Sequence, residues 1–117
     1  MTRSEVFTQL FSFRWPTPER LVEYATSRHG FCGDGGYYGV TYPSDLDEYQ
    51  IQVEGEFIPD GSVELHYWDG SHRDLLVLER EYLDALRDHL RAIGRSELAN
   101  MLQNAQPTNP ADALRRR

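Results

Sequence analysis

Acidic and apolar side chains alternate along residues 48–68, and this period of two constrains the fold more than any other feature of the chain. Ile51, Val53 and Phe57 share one parity, with Gln50, Gln52, Glu54 and Glu56 on the other. After a Pro59-Asp60-Gly61 turn signal, Val63, Leu65 and Tyr67 alternate with Glu64, His66 and Trp68. The pattern predicts two antiparallel strands joined by a hairpin, each with one buried and one wet face. Asp69-Gly70 marks a second turn, and residues 74–78 read as a third strand of the same meander.

The flanking segments read differently. Residues 6–15 carry Phe7, Phe11, Phe13 and Trp15 at odd positions, which predicts an opening strand. Thr17-Pro18-Glu19 then starts a helix: Thr17 caps it, Pro18 suits the first position, and Glu19 complements the dipole. Gly30 is its expected stop, and residues 30–39 read as a flexible glycine-rich connection. Leu83, Leu86, Leu90 and Ile93 follow 3-4-3 spacing in a helix over residues 80–93, ended by Gly94. Ser96 caps a short last helix. The expectation is an α+β fold, a central antiparallel sheet in β-α-meander order with two C-terminal helices packed on one face. Residues 1–106 form the single domain, and residues 107–117 a frayed tail.

Charge narrows the function. Nine carboxylates lie between His29 and His72 with no lysine or arginine: Asp34, Asp45, Asp47, Glu48, Glu54, Glu56, Asp60, Glu64 and Asp69. Tyr37, Tyr38, Tyr42, Tyr49, Phe57, Tyr67 and Trp68 run through the same window, so it has the composition of a folded surface and not of an acidic tail. The chain of 117 residues has a formal charge of −7, which argues against nucleic acid or an anionic membrane as a partner and for a basic protein. Cys32 is the sole cysteine, so no internal disulfide forms, and a reducing, cytoplasmic setting fits. Neither a spanning run nor a signal peptide is recognisable.

Few residues suggest catalysis or metal binding. Cys32 follows His29 by three positions, but Asp34 and the acidic window disfavour a thiolate. His29, Cys32, His66 and His72 lack paired zinc-ligand spacings; His29-x-x-Cys32 is half a pair, and Glu64-x-His66 arises readily in strands. The run around Asp34 is not a phosphate loop, and Asp45, Asp47 and Glu48 lack the glycine and distal glutamate of a calcium loop. No catalytic residue, metal or cofactor is therefore expected. The competing enzyme reading, a small hydrolase or transferase, would use Glu64, His66 or Cys32. If the hairpin forms, Glu54, Glu56, Glu64, His66 and Trp68 share one face, with Asp69 at its end. That face is either a solvated exterior or a binding surface anchored by Trp68. Tyr37, Asp45, Asp47 and Tyr49 are the next candidates.

F-S-F-R-W-P-T-P-E-R-L (residues 11–21) followed by Q-I-Q-V-E-G-E-F-I-P-D-G-S-V-E-L-H-Y-W-D-G (residues 50–70) gives the chain a design that resembles bacterial immunity proteins of polymorphic-toxin systems. The likeness spans nearly all of residues 6–102 and is one of overall style. It implies a non-catalytic cytoplasmic inhibitor that neutralises a cognate, basic toxin domain delivered by contact or secretion. A non-catalytic adaptor for some other basic partner has the same surface requirements.

Overall fold

A computed structural model describes residues 1–103. It places five helices around a four-stranded sheet, in the order α1 (Arg3–Leu10), α2 (Pro18–Ser27), β1 (Phe31–Gly33), β2 (Tyr38–Thr41), α3 (Glu48–Gln52), β3 (Ser62–Trp68), β4 (His72–Leu78), α4 (Glu79–Ala92) and α5 (Ser96–Gln103). The strands pair antiparallel in chain order. The α+β class and the C-terminal helix pair are as expected from the sequence; the order of elements is not. The tail expected over 107–117 lies outside the described residues.

The opening strand is a helix. Thr2 Oγ1 accepts from the Glu5 amide at 3.2 Å while the Glu5 carboxylate accepts from the Thr2 amide at 3.0 Å, a reciprocal cap. Val6 and Leu10, four apart, are buried on one side of α1. Residues 11–16 then run irregularly, with Phe13 stacked on Tyr38 at 3.7 Å and the Trp15 ring edge-on to Phe31. α2 begins as expected, with Thr17 Oγ1 accepting from the Arg20 amide. It ends earlier, at Arg28 in the left-handed region (φ 53°). Gly30 serves another purpose: a Cβ there would collide with the Val40 carbonyl oxygen and the Asp45 carboxylate.

Residues 30–39 are not a loose connection. Phe31, Tyr38 and Val40 are buried, and β1 and β2 make a hairpin with Phe31 opposite Val40 and Gly33 opposite Tyr38. This hairpin explains the second correction. β3 is flanked by β2 and β4, so both of its edges are taken and residues 48–58 cannot pair with it as a hairpin. Asp47 Oδ1 instead accepts from the Gln50 amide at 2.8 Å, and Gln50 Oε1 from the Asp47 amide at 3.0 Å, which starts α3. The expected 48–68 hairpin therefore does not form, although β3, its following turn and β4 do.

The core lies on one face of the sheet. Val40, Val63, Leu65 and Val77 meet Tyr82, Leu83, Leu86 and Leu90 of α4 and Val6 and Leu10 of α1. α4 rests on β3 and β4, and α5 packs against α4 and α2 through Leu98, Ala99 and Leu102. Ile93 is exposed at the end of α4, where the left-handed Gly94 (φ 79°) turns the chain away. At the start of α4 the buried Glu79 pairs with Arg28 Nε at 2.9 Å, and its amide donates to the Gly61 carbonyl. The opposite face of the sheet carries the candidate site.

Candidate functional site

Antiparallel register decides what meets on the outer face. One row runs Cys32, Gly39, His66, Asp74; the next runs Thr41, Glu64, Leu76; Trp68 stands opposite His72. Gly39 matters here because β1 and β2 approach too closely for a side chain: its Cβ would strike the Phe31 carbonyl oxygen. The imidazole of His66, next in the row, reaches diagonally to Thr41. His66 Nε2 lies 2.7 Å from Thr41 Oγ1 and Nδ1 lies 2.8 Å from Asp74 Oδ1. Glu64 Oε1 is 3.9 Å from Nε2. Partial burial pushes the Glu64 carboxyl above its ordinary value; the Asp74 and Glu56 charges add to this and His66 opposes it.

The chain hydroxyl–imidazole–carboxylate can polarise the Thr41 hydroxyl, and the same donors can hold a cation. Sequence reading found Glu64 and His66 but missed Thr41 and Asp74. They reach the cluster from neighbouring strands, and only pairing register reveals them. Cys32 is exposed on the edge strand in the His66 row, and His29 lies by Asp45 with Nδ1 3.4 Å from its carboxylate.

Trp68 is half-buried by its neighbours. Tyr37 packs on it with centroids 4.6 Å apart, and His72 meets it edge-on at 5.0 Å. Its backbone is held by Gln9 of α1, whose amide donates to the Trp68 carbonyl at 2.8 Å and accepts from the Trp68 amide at 3.1 Å. Gln9 thus stands in for a missing strand neighbour at the end of β3. Asp69 is less free than its sequence window suggests, because it pairs with Arg73 at 3.0 Å. Asp45 accepts from the Gly30 and Tyr42 amides and clasps a loop, and Asp47 caps α3.

Glu54 and Glu56 do not stand beside Glu64 on a paired strand as expected. Both are exposed on the irregular stretch after α3, with Glu56 still close enough to raise Glu64. The apolar residues assigned to a buried face of that stretch are in water, Ile51 at 47% exposed, Val53 at 65% and Phe57 at 77%, and the binding candidate Tyr49 is 62% exposed. Only Ile58 is anchored in this run, at 5%. An acidic segment studded with exposed apolar side chains therefore projects beside the outer sheet face.

Comparison with known proteins returns nothing to extend this picture: no family model, curated protein or solved structure matches the chain. Among the described residues no helix is long and apolar enough to cross a membrane. The fold thus defines an α+β protein with an acidic, partly apolar outer face.

Proposed function

We propose that this protein is a non-catalytic inhibitor of the immunity type, which binds a basic toxin domain through the α3 segment and the adjoining sheet face. The observation that carries the reading is the exposure of Tyr49, Ile51, Val53 and Phe57 among Glu48, Glu54 and Glu56. Exposed apolar side chains gathered among charges in one short segment suit a protein-binding site. Burying an aromatic ring contributes about 1.5–3 kcal/mol, so these side chains supply affinity that acids alone do not. The carboxylates supply the rest of the logic. They speed encounter with a basic cleft and repel nucleic acid from the same surface.

Phe57 and Tyr49, rather than Trp68, are the anchors of this surface. Trp68 is already packed against Tyr37 and His72 and serves as the far end of the surface. Glu56 is near enough to Glu64 to raise its carboxyl, so the two parts adjoin.

The test is growth protection in cells that express a toxin encoded beside this gene, with complex formation measured on purified proteins. Tyr49→Ala with Phe57→Ala should leave the melting temperature unchanged, since exposed positions usually shift stability within about 0.5 kcal/mol. The same pair should abolish protection and weaken binding by roughly 30-fold or more, the effect of losing about 2 kcal/mol at a hot spot. Glu54→Lys with Glu56→Lys should slow association and reduce its salt dependence. If both double variants protect like the parent, the segment is not the docking surface.

A further inference from the structure

Glu64, His66 and Asp74 each offer a donor atom, and one atom from each lies within 4.8 Å of the other two. The three sit on adjacent strands β3 and β4, with His66 directly opposite Asp74, so backbone pairing and not a mobile loop sets their spacing. Tetrahedral zinc with ligands at 2.0–2.1 Å places its donor atoms about 3.3 Å apart. Asp74 already lies 2.8 Å from His66 Nδ1, whereas Glu64 approaches the ring from the Nε2 side at 3.9 Å, so Glu64 must rotate toward Nδ1 for one ion to meet all three. The second ring nitrogen has a partner of its own, because Nε2 lies on the Thr41 hydroxyl. Metal-bound histidines are held in this way, with the free N–H donated to a fixed oxygen that sets tautomer and ring angle.

We propose that the outer sheet face is a divalent-metal site, with Glu64, His66 and Asp74 as ligands and zinc(II) as the ion. An ion at Nδ1 takes the place of the proton now shared with Asp74. The Asp74 oxygen moves outward by a few tenths of an ångström, Glu64 swings in, and with the ion on Nδ1 the ring carries its proton on Nε2, which donates it to the Thr41 hydroxyl. One imidazole and two carboxylates suit zinc better than magnesium or calcium, which favour all-oxygen sites. Two carboxylates beside one ring also repel each other, and a cation between them reverses that repulsion. Zinc binding at this face needs no protein partner. It makes the Glu64-x-His66 pair, which spacing alone leaves incomplete, part of a three-ligand set.

The experiment is calorimetric titration of the untagged, metal-stripped full chain with zinc chloride, together with cobalt(II) absorption in the visible range. The expected result is one ion per chain and a cobalt spectrum with an intense d–d band of tetrahedral type. His66→Gln and Asp74→Asn should each weaken binding at least tenfold, whereas His29→Gln and His72→Gln should leave it unchanged. Asp74 is exposed, so Asp74→Asn tests the site even where His66→Gln perturbs the sheet. Zinc should also raise the melting temperature of the parent and of His72→Gln, but not of Asp74→Asn. Absence of saturable uptake at millimolar zinc, or equal affinity in Asp74→Asn and the parent, would overturn the proposal.

Discussion

Arg28 closes α2 in the left-handed region at φ 53°, and its guanidinium holds the Glu79 carboxylate at 2.9 Å. Two opposing effects therefore meet at one residue, and two substitutions separate them. Breaking a fully buried ion pair costs about 3–5 kcal/mol. Here the Glu79 side chain is 4% exposed but that of Arg28 is 39%, so water screens one end and about 2 kcal/mol is the better value. Arg28→Ala removes the guanidinium and keeps the left-handed strain. Arg28→Gly removes both, and relief of that strain returns about 1 kcal/mol. At about 4–8 °C per kcal/mol for a domain near this size, Arg28→Ala should melt roughly 10 °C below the parent and Arg28→Gly about 5 °C below. Urea unfolding followed by tryptophan fluorescence gives the free energies, and Arg28→Ala/Glu79→Gln completes a double-mutant cycle with a coupling of about 1 kcal/mol or more. An Arg28→Ala protein as stable as the parent would show that the ion pair contributes nothing. Equal melting of the glycine and alanine variants would show that the backbone at residue 28 is unstrained.

Gln9→Ala should cost about 1–2 kcal/mol, because two hydrogen bonds to the Trp68 backbone are lost at the end of β3. Hydrogen exchange at the Trp68 amide should speed up well beyond the change in global stability; unchanged protection there refutes the strand-end role. His89 stacks on Phe11 at 5.0 Å, and burial holds its imidazole below the ordinary value of 6.5. The unfolded chain therefore binds its proton first on acidification, so the contribution of His89 is present above that value and is lost as pH falls through the folded one. Melting of the parent between about pH 7.5 and 5 should fall more steeply than that of His89→Gln, and parallel curves would refute the assignment.

Much of the fold was legible because it depends on local chemistry. Thr17-Pro18-Glu19 caps α2 wherever it packs, the leucines of α4 present one stripe in any context, and Val63, Leu65 and Tyr67 alternate as a strand must. Two helix starts were legible and were outweighed by periodicity. Thr2-x-x-Glu5 and Asp47-x-x-Gln50 are both reciprocal caps, and each begins a helix where aromatic or acidic alternation suggested a strand. Alternation is a statement about faces, and it makes a strand only where a neighbouring edge is open.

Tertiary structure decided which edges were open and which side chains met. With β2 and β4 on either side of β3, residues 48–58 could not pair with it, and Tyr49, Val53 and Phe57 stayed in water instead of entering the core. The sequence by itself determined that a lysine- and arginine-free acidic window would lie on a folded surface, since nine carboxylates cannot be buried together. It could not place Thr41, Glu64, His66 and Asp74 around one imidazole. They come from three strands separated by as many as 33 positions, and only cross-strand register brings them within hydrogen-bonding or ion-pairing distance.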